Sequence, residues 1–298
     1  MYVQCGDIRK ARQVFDAMPV RDSVSWNIML AGCLRHGLWL HSMGIWRRML
    51  REGHKPDSAV LSIMLSLLSL PSENDSKWGL EIHAWVIRHR LESELSIATA
   101  LIRMYSKKNE LGCALSVFES MPVKDRSSWN AIISAHRKDY GVLMMFRRMV
   151  DSGVQPDEST FATMVSACND LGLVEGGMRL FSEMDKVYRV QPTMEHCTCM
   201  VTMLSKAGMV NEAYEFVSKR MSLNSEPKIL RALLCACSVH GNTRIGEIVA
   251  NRLFDLEPEN EHNFVLLMQI YQNAGRLEDV ENVKKGIEGC NVKLNGSQ

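Results

Sequence analysis

Apolar residues recur along the chain at the three- and four-residue spacing of amphipathic helices. Between residues 23 and 57, Trp26 and Leu30 share one helical face, Gly37 interrupts the pattern, and Trp46 lies within a second amphipathic run. No segment shows the sustained alternation of apolar and polar residues that is typical of a half-buried β-strand. The pattern therefore predicts short helices in pairs, each pair joined by a tight turn, and no β-sheet.

The prolines give these helix pairs a regular period. Without Pro71, five of the six gaps between successive prolines span 31 to 37 residues, and the sixth spans 66. Because proline is excluded from helix interiors, regularly spaced prolines mark joints between helices, and this period is typical of two-helix repeats. We expect helices to be separated near seven prolines: Pro19, Pro56, Pro122, Pro156, Pro192, Pro227 and Pro258.

The chain also repeats its own sequence. Residues 1–27 and 104–130 align without gaps and are identical at 12 of 27 positions, including Trp26 and Trp129. An offset of 103 residues fits three repeats of unequal length better than one domain. Since a single helix pair has too little partner surface to fold alone, neighbouring repeats must stack. We predict an all-α protein, a right-handed superhelical solenoid of helix-turn-helix repeats.

Composition narrows the classes of function. The 298 residues carry 35 Lys and Arg against 34 Asp and Glu, a net charge of +1 that counts mildly against a nucleic-acid-binding protein. The charge is uneven, with +3 over residues 1–193 (24 basic, 21 acidic) and −2 over residues 194–298 (11 basic, 13 acidic). Any RNA contact is therefore expected in the first part of the chain. No apolar stretch approaches the ~18 residues of a membrane span.

Catalytic and metal-binding motifs are missing from the sequence. The nine cysteines, an odd number in a long chain, indicate free thiols in a reducing compartment. Cys and His residues cluster at 196–199 and 235–240, but more closely than paired zinc ligands, so buried thiols are the better interpretation. The sequence has neither the H-x-E and C-x-x-C of a zinc deaminase, nor a P-loop, nor a nucleophile elbow. We predict no enzyme activity, no metal and no cofactor.

Two kinds of short sequence recur at the ends of the repeats. Residues 53–57 (Gly-His-Lys-Pro-Asp) and 153–157 (Gly-Val-Gln-Pro-Asp) close a unit, and the Ser-Trp-Asn of residues 25–27 and 128–130 stands near the start of one. These sequences resemble the ends and starts of motifs in plant pentatricopeptide repeat (PPR) proteins. The resemblance implies P, L and S units of unequal length, as in the PLS class, which explains the 103-residue offset.

The resemblance covers nearly the whole chain. Residues 233–242 and 264–271 resemble the two E-type motifs that follow the repeats in the E subgroup. The chain departs from the family at Cys197, where Tyr is usual, at Leu230, where Trp is usual, and at residues 138–141, where the second P unit is about three residues short. It opens inside a repeat, which implies an N-terminally truncated protein. The predicted units are a partial S (1–22), P (23–57), L (58–94), S (95–125), P (126–157), L (158–193), S (194–227) and the E-type motifs (228–298).

The resemblance implies recognition of single-stranded RNA, with one base for each repeat. In the family, the residue after the aromatic of the first helix acts with the last residue of the same unit. A short amide or hydroxyl group hydrogen-bonds a base edge while the closing Asp orients it; Asn with Asp favours U, and Thr with Asp favours G. The pairs are Asn27 with Asp57, Thr99 with Asp125, and Asn130 with Asp157, and the remaining units offer Ser62, Ala162 and Thr198, of which Ala162 cannot make the bond.

Each of these residues also has a purely structural interpretation. The Asn residues could be ordinary first-turn polar residues and the Asp residues helix caps, although their recurrence in register favours base recognition. Trp26 and Trp129 could stack on bases, but their place on the apolar face favours core packing.

The pattern of the repeats assigns no base-recognition residue to the segment 228–298, which is slightly acidic. The positions where the family sandwiches bases between repeats hold Val24, Ser96 and Ser127.

By resemblance, the chain is an RNA-recognition factor that specifies a cytidine for C-to-U editing in a mitochondrion or chloroplast. A deaminase-domain PPR protein would supply the chemistry in trans, and multiple organellar RNA-editing factors would stiffen the repeats. Two alternatives stay open: a protein-binding helical-repeat scaffold, and a truncated, non-functional copy. A positive groove lined by Asn27, Thr99 and Asn130 would favour RNA. The opening residues show no transit peptide.

Overall fold

The chain folds entirely into α-helices in the part that the structure describes. The computed structural model describes residues 2, 3, 5–68, 75–220 and 226–289. Every regular element in these residues is a helix, so the all-α class predicted from the apolar pattern is confirmed. None of these helices combines the length and the apolar character that crossing a membrane requires.

The helices belong to two compact units, residues 1–155 and 156–298. The first unit contains α1 (Ile8–Ala17), α2 (Ser23–Arg35), α3 (Trp39–Arg51), α4 (Ser58–Leu67), α5 (Asp75–Arg88), α6 (Leu95–Lys107), α7 (Leu111–Ser120), α8 (Arg126–Ala135) and α9 (Gly141–Asp151). The second unit contains α10 (Glu158–Leu171), α11 (Val174–Lys186), α12 (Met194–Lys206), α13 (Val210–Arg220), α14 (Pro227–His240), α15 (Thr243–Leu256), α16 (Glu261–Asn273) and α17 (Leu277–Gly289).

Within each unit the helices stack as successive hairpins. We call the even-numbered helices first helices and the odd-numbered helices second helices. In the first unit α2, α4, α6 and α8 pack side by side in that order, and in the second unit α10, α12, α14 and α16 do the same. Each first helix also packs against the second helix that follows it. The first helices therefore form a continuous row in each unit, as stacked two-helix repeats require.

The seven predicted joints are confirmed. Pro227 is the first residue of α14, where its missing N–H costs no intrahelical hydrogen bond. Pro71 lies outside the described residues. The other prolines lie in the segments between successive helices: Pro19, Pro56, Pro122, Pro156, Pro192 and Pro258.

Local side chains begin and end the helices. The side chain of Asp22 accepts a hydrogen bond from the backbone N–H of Ser25 at 2.8 Å and caps α2. Beyond the other end of α2, Gly37 has φ +68°, a left-handed conformation that favours glycine, and its N–H donates to the carbonyl of Leu34 at 3.1 Å. The glycine that interrupts the apolar pattern therefore ends the first helix of its hairpin.

Aromatic pairs hold neighbouring repeats together. Trp26 is fully buried and Trp129 is 2% exposed. The ring of Trp26 packs edge-on against Phe15 of α1, with centroids 4.8 Å apart, and Trp129 packs in the same way against Phe118 of α7 at 4.7 Å. The core-packing interpretation of both tryptophans is therefore confirmed, because a buried ring offers no face to a base.

The short second P unit has lost the last turn of its first helix. Helix α8 has 10 residues, whereas α2 and α6 each have 13. The chain then turns at Asp139, whose carboxylate accepts a hydrogen bond from the N–H of Gly141 at 2.7 Å and lies 3.0 Å from Nδ1 of His136. A turn stabilised by side chains therefore replaces the missing helical turn.

Candidate nucleic-acid interface

The predicted Asn, Ser and Thr residues all lie at the same place, the fifth residue of a first helix, and each predicted Asp immediately precedes a first helix. The residue before the fifth is buried in six consecutive hairpins: Trp26, Leu61, Ala98, Trp129, Phe161 and Cys197. Since one helical step rotates the next side chain by about 100°, the fifth residue turns from the core toward the edge of the row. These fifth residues are Asn27, Ser62, Thr99, Asn130, Ala162 and Thr198.

The first complete unit forms the predicted pair. The amide Nδ2 of Asn27 donates a hydrogen bond to Oδ2 of Asp57 at 2.5 Å. The other carboxylate oxygen, Oδ1, accepts from the backbone N–H of Val60 at 2.9 Å and so caps α4. Asp57 is thus both a helix cap and the group that orients Asn27. The Oδ1 of Asn27 is enclosed and has no hydrogen-bond partner among the described residues.

Asn27 lines a cleft of about 350 Å³ between α2 and α4. Val24 and Ala59, the second residues of these two helices, are both exposed and both line the cleft. Most of the remaining lining is apolar, and Arg35 supplies a cation. An apolar slot with one oriented amide is suited to a flat, hydrogen-bonding ring. The other two predicted sandwich positions, Ser96 and Ser127, are also exposed second residues of their helices.

The second predicted pair is not joined in the structure. Thr99 is 7% exposed, and no hydrogen bond links it to Asp125 in the described part of the chain. Oδ1 of Asp125 accepts from the N–H of Ser128 at 2.8 Å, so this carboxylate caps α8 as Asp57 caps α4. The Thr hydroxyl sits one bond closer to the backbone than the Asn amide nitrogen. Its role in base recognition stays a prediction.

The third predicted pair is divided between the two compact units. Asn130 is half-buried at the fifth position of α8 in the first unit. Asp157 belongs to the second unit, where its Oδ1 accepts from the N–H of Thr160 at 2.9 Å. The hydroxyl of Thr160 in turn accepts from the N–H of Asp157 at 3.1 Å, which completes a capping box at the start of α10. The pairing of Asn130 with Asp157 stays a prediction.

The remaining fifth residues differ in what they can offer. The Oγ of Ser62 is enclosed and lacks a partner among the described residues. Thr198 donates its hydroxyl hydrogen to the carbonyl of Met194 at 2.8 Å, so only its oxygen lone pairs are available. Ala162 has no polar group. His196, two residues before Thr198 on α12, has its Nδ1 engaged in capping the helix, since this atom accepts from the N–H of Thr193 at 3.1 Å.

Cations accompany the row in the first unit. Arg35 and Lys107 are exposed near the ends of α2 and α6. Arg103 is also exposed, and its Nη2 donates to the hydroxyl of Ser127 at 3.4 Å, at the sandwich position of the next repeat. These side chains place positive charge beside the fifth residues, although the net charge of the whole chain is close to zero.

Sequence reasoning missed a charged pair in the segment 228–298. Arg231 is the fifth residue of α14, and its Nη1 donates to both carboxylate oxygens of Glu257 at 2.6 and 2.5 Å. The signal was available, because Arg231 follows Pro227 by four residues and Glu257 precedes Pro258. The pair was overlooked because neither residue matches the amide, hydroxyl and Asp pattern of the repeats.

Comparison with known families agrees with this geometry. The PPR repeat family model matches residues 21–69, and the PPR repeat model matches four further segments, residues 1–23, 96–125, 159–187 and 195–219. The E motif model matches residues 240–295. The chain belongs to the pentatricopeptide repeat family. The E motif places this PPR protein in the E subgroup.

Several plant PPR proteins are similar in sequence. The chain is 49% identical over 286 residues to the chloroplastic pentatricopeptide repeat-containing protein At4g25270 of Arabidopsis thaliana, which covers 96% of this chain and 53% of the relative. It is 36% identical over 294 residues to the chloroplastic protein CRR2 of the same plant, covering 97% and 44%. The chain thus spans about half the length of these relatives.

The fold matches a solved PPR protein. The crystal structure of the pentatricopeptide repeat protein PPR10 in complex with an 18-nt psaJ RNA element superposes with a TM-score of 0.66 and 17% sequence identity, covering 97% of this chain and 44% of PPR10. At this identity the likeness establishes the fold, a stack of PPR hairpins, and nothing finer.

Proposed function

We propose that this PPR chain is a sequence-specific factor that binds single-stranded RNA. The observation that carries the proposal is the Asn27–Asp57 pair at the cleft between α2 and α4. The cleft offers apolar walls to a base, and the pair offers an amide held in one orientation. Uracil suits this amide, because one of its carbonyl groups can accept from the N–H of Nδ2 that does not bond Asp57.

The arrangement along the row supports RNA over a protein partner. A polar fifth residue recurs in register at Asn27, Thr99 and Asn130, and each is followed at the end of its unit by an Asp. One-base-per-repeat recognition needs such a recurrence, whereas a protein-binding scaffold does not. Arg35 and Arg103 add the positive charge that phosphate contacts require.

Direct binding tests this function. The predicted preferences over the first four complete units are U, any base, G and U. The full chain should bind a short RNA containing UNGU more tightly than a matched RNA in which the G and both U are replaced by A. Each RNA should be tested with the sequence written in both 5′-to-3′ directions, and its affinity should be measured at two salt concentrations. Equal binding to both RNAs would contradict sequence-specific recognition, and no binding to either would favour the scaffold function.

Within this function, we propose that the chain specifies a cytidine for C-to-U editing of an organellar transcript. The match of residues 240–295 to the E motif supports an editing role. Organellar localisation is supported by relatives named as chloroplastic, and by a 37% identical relative of Arabidopsis thaliana named as mitochondrial. A deaminase-domain PPR protein would act in trans, and multiple organellar RNA-editing factors would bind the repeats.

Reconstitution tests the editing proposal. The full chain is mixed with a deaminase-domain PPR protein and an RNA that carries its preferred sequence beside a cytidine. Deamination should require both proteins and should be lost when the preferred sequence is scrambled. If the deaminase-domain protein edits the cytidine equally well without this chain, the editing proposal fails while RNA binding stands.

A further inference from the structure

The Arg231–Glu257 pair matches the Asn27–Asp57 pair at its first residue and differs from it at the second. Arg231 is the fifth residue of α14, as Asn27 is of α2, and each follows a fully buried residue. Glu257 is the C-cap of α15, four residues before α16, whereas Asp57 immediately precedes α4. The place of Asp57 is held by Asn260, the N-cap of α16, which donates to Glu257. Arg231 therefore stands in the register of the fifth residues, in a segment to which the sequence assigned no base-recognition residue.

Glu257 fixes the guanidinium at one end only. Nη1 of Arg231 binds both carboxylate oxygens, at 2.6 and 2.5 Å. Glu257 also accepts from Nδ2 of Asn260 at 2.8 Å and from Nδ2 of the fully buried Asn263 at 3.3 Å. The hydrogen bond from Arg231, followed by that from Asn260, holds the pKa of Glu257 below its ordinary value. An ionised carboxylate anchored from three sides therefore holds the arginine.

The opposite edge of the guanidinium is left for a ligand. Nε and Nη2 of Arg231 have no hydrogen-bond partner among the described residues, and 28% of its side chain is exposed. Lys228, the second residue of α14 and thus at the sandwich position, is exposed one turn earlier. The edge therefore presents two parallel N–H donors beside a second cation, which suits a ligand with two adjacent acceptors.

Guanine has such a pair of acceptors. Adenine offers N7 next to an amino donor, uracil separates its two carbonyl groups by N3–H, and cytosine offers N3 and O2 on its Watson–Crick edge. Guanine's O6 and N7 lie side by side, match a guanidinium edge and are the commonest base contact of arginine. In single-stranded RNA this edge of the base is accessible. Building on the proposed function, we propose that the hairpin of α14 and α15 recognises a guanine of the bound RNA through the Nε–Nη2 edge of Arg231, which Glu257 holds in place.

The next hairpin, formed by α16 and α17, has no hydrogen-bonding side chain at its fifth position. Val265 is the fifth residue of α16 and is 44% exposed, so it offers no hydrogen bond to a base. Recognition therefore includes one nucleotide beyond that of the final S unit and then stops. The nucleotide facing Val265 serves as an internal control that shows no preference.

The test is a selection of bound sequences from a random RNA library. It uses the full chain, the double variant Arg231→Asn/Glu257→Asp, and Arg231→Lys, which keeps the charge but loses the paired edge. Wild type should enrich G at one position, and the double variant, which lacks the guanidinium, should lose that preference. Enrichment of C there by wild type would overturn the assignment of guanine. Arg231→Lys should weaken the G preference there by about 5- to 150-fold, the range of one bidentate base contact. Circular dichroism confirms that each variant is folded.

Three outcomes separate the possibilities. If both variants enrich the same sequence as wild type, recognition of a guanine by Arg231 is refuted while RNA binding stands. If the variants bind every sequence more weakly to the same degree, with a smaller salt dependence, Arg231 contacts phosphate and the guanine proposal is overturned. If wild type enriches no sequence at all, sequence-specific RNA binding fails, and the recognition of guanine by Arg231 fails with it.

Discussion

Asn27 donates its amide hydrogen to Asp57, whose second carboxylate oxygen caps helix α4. Capping α4 and orienting Asn27 are therefore compatible at this residue, because each oxygen of the carboxylate serves one of them. The cap fixes the carboxylate relative to α4, and the carboxylate then fixes the amide on α2. The geometry of the proposed base site thus depends on two neighbouring repeats being in register.

Replacing Asp57 should remove both roles at once, and two measurements distinguish their effects. Asp57→Ala removes a helix cap, which costs about 0.5–2 kcal/mol of the free energy of unfolding, and it also releases Asn27. We expect the preference for U at the nucleotide facing the first P unit to fall by about 1–3 kcal/mol. Urea unfolding measures the first effect, and titration with two RNAs that differ only at that nucleotide measures the second.

Asp22 provides the matched control for this experiment. It caps α2 through the N–H of Ser25 at 2.8 Å, and among the described residues its carboxylate bonds Ser25 and no fifth residue of a first helix. Asp22→Ala should cost a similar stability and leave the base preference unchanged. If both variants lose the same preference, the effect of Asp57 is that of a cap alone.

Helices and joints were predictable from the sequence because their signals are local. Gly37 and Pro56 act on the backbone within a residue or two of themselves, and the face formed by Trp26 and Leu30 follows from helical periodicity alone. Even the shortening of the second P unit was visible as missing residues. The sequence could not predict which helix or turn would be shortened, since that depends on which hairpin contacts are kept. The structure shortens α8 at its end.

The candidate site was predictable only in part, because it depends on the reach of particular side chains. The same register argument that paired Asn27 with Asp57 also paired Thr99 with Asp125, yet only the first pair is joined. Register sets which residues are neighbours, whereas side-chain length decides whether they touch. Arg231 was missed for the opposite reason, since its longer side chain did not match the expected residue types.

Two glycines of one hairpin should respond in opposite ways to alanine. Gly37 has φ +68°, which costs an L-residue about 1–2 kcal/mol, so Gly37→Ala should destabilise the protein. Gly44 lies inside α3 with open space around its Cα, and Gly44→Ala should stabilise the protein by about 0.5–1 kcal/mol. Urea unfolding of both variants tests this, and a loss of stability in Gly44→Ala would contradict the helix assignment there.

The thiols should differ strongly in reactivity. Burial raises the pKa of Cys237 to about 12, and because the thiolate is the reactive form, this residue should resist alkylation. Cys113 is exposed on α7 and should react readily. Brief treatment with iodoacetamide at neutral pH, followed by peptide mass spectrometry, measures both in one sample. Protein unfolded in guanidinium is the control, in which the two thiols should react alike; equal labelling of the folded protein would contradict the burial of Cys237.

Thr99→Asn tests whether side-chain reach limits the second pair. Asparagine carries its amide nitrogen one bond further out than the hydroxyl of Thr99, as Asn27 does where it meets Asp57. We expect the new amide to bond Asp125 and to move the preference at one nucleotide from G toward U by about 1–3 kcal/mol. The nucleotide facing Asn27 should keep its preference for U, since each repeat recognises its own base.

Two RNAs that differ only at the nucleotide facing Thr99 make this measurement, with wild type and Thr99→Asn titrated against each. Thr99 is 7% exposed, so an unfolding curve must first show that the larger side chain is accommodated. Asn27→Thr is the reciprocal variant, because it withdraws the donor from Asp57 and should move the first P unit from U toward G. If Thr99→Asn ranks the two RNAs as wild type does while Asn27→Thr changes its own nucleotide, then Thr99 is a helix residue and base recognition in this unit lies elsewhere. If neither variant changes any preference, the fifth residues do not select bases, and the recurrence of polar residues at this position reflects helix capping and packing alone.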